Sequence, residues 1–258
     1  MKPKVAVFKF ASCDGCQLQF LNLEDELLAL THLVDFAFFP EARSRMVEGP
    51  YEIAFVEGSV TTEDDARRIQ EVRAQSRTLV TIGACATAGG IQALRNWAKI
   101  EDFKRVVYPS PNLVAVLSTS TPISEHVRVD HQVWGCPVDK GQLLAVLRSL
   151  LSGARPALPS YSVCMECKRL GNVCVVVARG EPCLGPVTRS GCGALCPSLA
   201  RGCYGCFGPA SDPNVVSFDR LLAEQGLSSG ERLRRLRGIN GYAPALRRAT
   251  DTARHDED

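Results

Sequence analysis

Short apolar runs alternate with amphipathic stretches through the first half of the chain. Residues 4–10, KVAVFKF, are a mostly apolar, β-favouring run, suited to a parallel strand buried on both faces. Residues 17–30 carry Phe20, Leu23, Leu27 and Leu30 at three- and four-residue steps, with acidic Glu24, Asp25 and Glu26 between them, which predicts a helix. Residues 33–39 and 52–57 predict a second and a third strand. Thr62 is placed to cap a helix, with Asp65 as capping-box partner and Ala66, Ile69 and Val72 as the buried face. Residues 78–82 predict a fourth strand and 86–97 a helix. A last helix is predicted over 139–151, with Leu143, Leu147 and Leu150 inward.

Strands alternating with helices predict an α/β fold, a flavodoxin-like doubly wound parallel sheet. Ligands of such sheets bind beyond the carboxyl ends of the strands. Pro156 and Pro159, with Gly153 and Ser160, mark a linker. The expected organisation is a sheet domain over 1–155, a small Cys-rich, ferredoxin-like two-cluster domain over 156–212, and a helical, charged tail over 213–258. Arg232, Arg234, Arg235 and Arg237 give that tail the pattern of a solvated amphipathic helix, followed by a frayed end.

The balance of 30 basic against 28 acidic residues gives a net charge of +2, and no electrostatic case for nucleic acid or an anionic membrane as partner. No apolar run approaches the length of a membrane span. The opening MKPKVAVFKF reads as a strand and not as an export signal, which predicts a cytoplasmic protein. In a reducing cytosol, cysteines at CxxC spacing point to metal or redox chemistry, whereas disulfide scaffolds are small and secreted.

The chain has twelve cysteines. Cys13, Cys16, Cys85 and Cys136 follow predicted strands or occupy a turn before the last helix, so distant chain positions aim at one sheet edge. Glu57 ends the third strand at that same edge. Gly15, Gly83 and Gly135 sit beside these ligand candidates, where backbone must approach a bulky group. The plain alternative is a set of small buried hydrophobes, but core cysteines belong within strands and on inner helix faces. Cys164, Cys167, Cys174, Cys183, Cys192, Cys196, Cys203 and Cys206 are separated by 2, 6, 8, 8, 3, 6 and 2 residues, a near-symmetric order. A [4Fe–4S] cubane takes four thiolates, so twelve suit three cubanes with none left over. Zinc held by Cys164, Cys167, Cys203 and Cys206 is the rival, and it leaves Cys174, Cys183, Cys192 and Cys196 unexplained.

CDGC after strand one, VEGSV after strand three, GACAT after strand four and GCPVDK before the last helix resemble the small subunit of [NiFe] hydrogenases. The related respiratory complex I subunit has adjacent cysteines in its first motif, whereas Cys13 and Cys16 are separated. The stretch from VCMEC to GCYGCFGP is similar to cytoplasmic sulfhydrogenase-type delta subunits and, more loosely, to F420-reducing and methyl-viologen-reducing groups. The resemblance implies an electron-transfer subunit beside a large subunit that carries the Ni–Fe centre. It also implies further iron–sulfur and flavin subunits that use NAD(P). By position, Cys13, Cys16, Cys85 and Cys136 would hold the proximal cluster, and the other eight cysteines the medial and distal ones. Other readings are the small subunit of a different oxidoreductase, complex I-like or sulfur-reducing, or a zinc-stapled binding module.

In periplasmic relatives a histidine is a distal ligand. Here the histidines are His32, His126, His131 and His255, none within the Cys-rich stretch. All-cysteine ligation predicts low potentials and three [4Fe–4S] clusters. Glu57 is a candidate proton relay or, more plainly, a capping carboxylate. Asp14 and Thr87 flank ligands and are expected to hydrogen-bond within the ligand loops. His126 and His131 read as surface or interface residues. Arg201 is expected to meet cluster charge or a partner. No Walker loop is present and no GxGxxG follows the first strand, so the nicotinamide is expected on another chain.

Overall fold

The structure is a computed structural model and describes residues 2–252. The expected frayed end, with His255, lies outside the described residues. The chain divides into two compact units, 1–156 and 157–258.

In the first unit the elements run β1 (Lys4–Lys9), α1 (Gly15–Leu21), α2 (Asp25–Thr31), β2 (Asp35–Phe38), β3 (Tyr51–Glu57), α3 (Glu63–Ala74), β4 (Ser76–Ile82), α4 (Gly83–Ala88), α5 (Ile100–Val107), β5 (His131–Val133) and α6 (Lys140–Leu151). All strand pairs are parallel, in the order β2-β1-β3-β4-β5. That is the flavodoxin-like order, with its switch point between β1 and β3. Val5, Ala6, Val7, Phe55, Val56, Leu79, Val80 and Ile82 are fully buried, as strands covered on both faces require.

The register sets the site. Lys9 lies opposite Glu57, Glu57 opposite Ile82, and Ile82 opposite Val133. Four strand ends are therefore level, and the loops after them leave from one edge. Phe20 on α1 packs edge-on against Phe55 and Phe39, with ring centroids 5.0 and 6.0 Å apart, and so anchors the helix that follows the first ligand loop. Thr62 and Asp65 form the expected capping box. Asp139 caps α6 by accepting from Gln142 N–H at 2.9 Å. Leu143, Val146 and Leu147 of α6 are buried, and Leu150 is only half-buried.

The helix predicted over 17–30 is two helices. Glu24 takes φ +51°, which breaks the first and lets Leu23 and Leu30 both reach the core. The helix predicted over 86–97 stops at Ala88, and a 3-10 segment follows over Ile91–Trp97. Gly89 and Gly90, both left-handed, form the break.

The second unit contains α7 (Val163–Arg169), α8 (Val175–Arg179), α9 (Leu195–Ser198), α10 (Val215–Glu224), α11 (Ser229–Leu236) and α12 (Pro244–Thr252). The last three pack on the Cys-rich segment. Val215, Phe218, Leu222 and Leu236 make a core with Val187, which lies between Cys183 and Cys192, and Leu184 packs on it. The apolar faces of these helices need a partner, and the Cys-rich segment supplies it. Arg237, expected in solvent, is 8% exposed and donates to Thr250 O. Among the described residues no helix is long and apolar enough to cross a membrane.

Candidate metal centres

The first centre grows from the level strand ends. Cys13 and Cys16 follow β1, Cys85 lies in α4 directly after β4, and Cys136 follows β5. Ala84 N–H donates to Gly135 O at 2.8 Å and stitches the Cys85 and Cys136 loops together. Cys16 is buried and Cys85 half-buried, while Cys13 and Cys136 are exposed at the mouth. Burial is the main cause that pushes the Cys16 thiol far up, with Glu57 and the Cys85 and Cys136 thiols adding to it. Burial likewise pushes Cys85 up to about 11, with Cys136, Cys13 and Glu57 adding. Each of the four thiols thus lies near enough to at least one of the others to influence it. Without a cation the inner thiols stay neutral, and a metal that replaces their protons relieves that cost.

Two glycines admit the sulfurs. A β-carbon on Gly83 (φ +85°) would fall 2.3 Å from Cys16 Sγ, and one on Gly90 (φ +66°) 2.6 Å from Cys85 Sγ. Glu57 is 1% exposed, and its carboxylate accepts from Cys16 N–H at 3.0 Å and Gln17 N–H at 3.2 Å. Burial holds its carboxyl above the ordinary range, and the two N–H groups partly offset this. In the structure Glu57 therefore does the capping job. Asp14 (φ +68°) pairs with Lys9 at 2.6 Å and accepts from Gln17 Nε2 at 3.4 Å. Thr87 Oγ1 donates to Gly83 O at 2.9 Å, so both flanking residues hydrogen-bond within the ligand loops.

In the second unit Cys164 and Cys167 lie on α7, Cys174 just before α8 and Cys183 beyond it. These four thiols line one cavity of about 50 Å³ with Gly185 and Pro197. A β-carbon on Gly185 would sit 3.3 Å from Cys183 Sγ and 3.5 Å from Cys164 Sγ. Cys167, Cys203 and Ala194 are buried together, with Cys183 and Cys192 against them. Cys203 N–H donates to Cys183 Sγ at 3.2 Å, and Gly205 N–H to Cys203 Sγ at 3.4 Å, the kind of N–H···S bond a thiolate needs. Burial pushes Cys203 up to about 12.

Three residues that the sequence reading did not single out also shape these loops. Gln92 lies 3.4 Å from Cys85 Sγ while donating to Ala11 O at 2.7 Å. Asn240, 2% exposed, donates to the carbonyls of Gly205 and Cys206 at 2.9 Å each. Glu166 accepts from Gly191 and Ala194 N–H. A carboxylate between two CxxC cysteines is the one hint of Glu166 that sequence offered. Arg201 lies over the Tyr204 ring, 5.9 Å from its centroid, beside Cys203. His126 Nε2 meets Thr121 Oγ1 at 2.7 Å, and His131 sits in β5. Next to the first centre, Leu18, Ile91 and Leu94 are 45%, 55% and 44% exposed.

No disulfide joins the cysteines. A tetrahedral zinc site brings its sulfurs within about 4 Å of one another. Among the described residues no three His, Cys, Asp or Glu side chains are gathered for a single ion, Cys164, Cys167, Cys203 and Cys206 included. Thiols that line spaces kept open by a glycine, and that are partly buried away from water, fit a bulky, positively charged iron–sulfur core.

Residues 13–150 match the family described as NADH ubiquinone oxidoreductase, 20 Kd subunit. The chain is 38% identical over 221 residues to the sulfhydrogenase 2 subunit delta of Pyrococcus furiosus, covering 86% of this chain and 92% of that one. It is 30% identical to the NAD-reducing hydrogenase HoxS subunit delta of Cupriavidus necator, over 62% of this chain and 83% of that one. The fold matches a chain of an NAD⁺-reducing [NiFe]-hydrogenase in the H2-reduced state with TM-score 0.58 and 31% identity, over 62% of this chain and 96% of the other.

Proposed function

Because this chain belongs to the NADH ubiquinone oxidoreductase 20 Kd subunit family, and within it to the [NiFe] hydrogenase small subunits, we propose that its twelve cysteines hold three [4Fe–4S] clusters. Cys13, Cys16, Cys85 and Cys136 hold one. Cys164, Cys167, Cys174 and Cys183, which share a cavity, hold the second. Cys192, Cys196, Cys203 and Cys206 hold the third. When bound, the clusters supply one-electron carriers between a Ni–Fe centre on a large subunit and an iron–sulfur and flavin module that uses NAD(P). The complex works in the cytoplasm.

The chain's own residues orient and insulate. Glu57 fixes the turn that carries Cys16, Gly83 and Gly90 let the backbone close on the first space, and Gln92 ties the Cys85 loop to the Cys13 loop through Ala11. Phe207 and Val163 are buried in the second unit, beside Cys206 and Cys164 in the chain. Glu57 accepts one N–H at each carboxylate oxygen, so its first role is to position the Cys16 turn.

The observation that carries this reading is the gathering, at one sheet edge, of four thiols from three separate loops beside glycines that have no room for a side chain. Metal and sulfide analysis of the complex purified without oxygen tests it. About twelve irons and twelve sulfides per chain are expected. One or two zincs per chain, without sulfide, overturn it. Cys16→Ser should abolish coupling between H2 and any dye while the other eight irons stay, and intact turnover in that variant would remove the first assignment.

A further inference from the structure

We propose that Glu166 sets the potential of the cluster held by the Cys192 loop, from a position within the ligand helix of the neighbouring cluster. The inference rests on the division of the eight later cysteines given above. Glu166 lies on α7 between Cys164 and Cys167. Its side chain crosses to the other ligand segment, where Oε1 accepts from Gly191 N–H at 2.8 Å and Oε2 from Ala194 N–H at 3.2 Å. Those two N–H groups bracket Cys192. Ala194 is buried and left-handed at φ +50°, a conformation a non-glycine keeps only when its surroundings hold it.

The charge matters beyond the clamp. Glu181, the other acidic side chain in the stretch, also holds a loop N–H, that of Gly202 at 3.0 Å, but it has Arg179 at 3.6 Å. Among the described residues no Lys or Arg pairs with Glu166. Its negative charge is thus balanced by amide dipoles alone, half-buried, next to a thiolate ligand. Adding an electron beside an uncompensated anion is disfavoured. The same carboxylate holds the Gly191 N–H and competes with the Cys192 sulfur for the Ala194 N–H, and hydrogen bonds to cluster sulfurs raise potentials. Both effects push in one direction, so Glu166 keeps this cluster strongly reducing.

The test uses Glu166→Gln and Glu166→Asp in the assembled complex, kept anaerobic. Iron and sulfide are counted, and each cluster is titrated by electron paramagnetic resonance at controlled potential. The Cys192 cluster is identified as the signal that Cys192→Ser alters. In iron-replete E166Q, the reduced-to-oxidised ratio of that cluster at a fixed potential should rise about tenfold, which is about 59 mV for one electron. The other clusters should not move, and E166D, which keeps the charge, should stay near wild type. An unmoved midpoint in iron-replete E166Q overturns the inference. So does an equal shift in E166D, or loss of four irons from both variants, which would leave Glu166 a clamp only. Wild-type iron separates this from the reading beneath it. With about twelve irons, failure touches Glu166 alone, whereas about eight or fewer removes the assignment and the inference with it.

Discussion

Gly83→Ala is the sharpest probe of the first centre. Gly83 opens α4 at φ +85°, and the added β-carbon would fall 2.3 Å from Cys16 Sγ. Close side-chain contacts rarely fall below 3.4 Å, so sulfur and carbon must separate by about 1 Å. The left-handed backbone costs an alanine about 1–2 kcal/mol. A domain stable by about 5–15 kcal/mol survives that. Metal ligation does not survive the displacement, because ligand distances tolerate only about 0.2 Å. Loss of ligation therefore outruns loss of fold. Iron analysis should find about eight irons in place of about twelve, with one reduced-cluster signal gone. Far-UV circular dichroism should stay close to wild type, and H2-dependent dye reduction should be lost. A variant that keeps all its iron and its dye activity would show that Cys16 Sγ does not face the metal.

Gly90→Ala should act the same way through Cys85, with a clash at 2.6 Å, and the same iron count checks it. Asn240→Ala removes two donors from the Gly205 and Cys206 carbonyls and should destabilise the second unit by about 1–3 kcal/mol, read as a lower melting temperature. Asp130 accepts from Leu79 N–H at 2.8 Å and pairs with Arg73 at 2.6 Å. Burial alone would raise its carboxyl, but these partners hold it below the usual range. Its folded value lies below the unfolded one, so its contribution is complete above about pH 4 and fades as pH falls through the folded value. Asp130→Asn should cost about 1–3 kcal/mol near neutrality, and the gap to wild type in urea unfolding should shrink in acid. A gap that widens on acidification refutes the pairing. Stripping iron should expose residues 160–210 to protease before the sheet, as mass spectrometry of the fragments would show.

The parts of the fold that announced themselves were those with one dominant physical cause. Both-face burial makes β1, β3 and β4 continuous apolar runs, and the Thr62–Asp65 box needs only its own two side chains. β5 escaped notice because three residues, His131–Val133, carry no period. The breaks at Glu24 and at Gly89-Gly90 depend on where Leu23, Leu30 and Ala93 must pack, which no local pattern expresses. The thiols were legible as a set, since cysteine in that number and spacing has few other uses. Their supporting residues were not. Asn240 is 34 residues from the Cys206 carbonyl it holds, and Gln92 is 81 from Ala11. The last helices read as a solvated, charged tail because arginine dominates their composition, while Val215, Phe218 and Leu222 find Val187 only in three dimensions.

The exposed Leu18, on the helix that carries Cys16, and Ile91 and Leu94, on the segment after Gly90, have a cost for the cell. Exposed oily residues invite self-association when nothing is seated on them. A copy synthesised in excess of the proposed large subunit should be sticky and short-lived. Balanced synthesis of the two polypeptides, or a temporary chaperone, then becomes a condition for obtaining any of it in usable form.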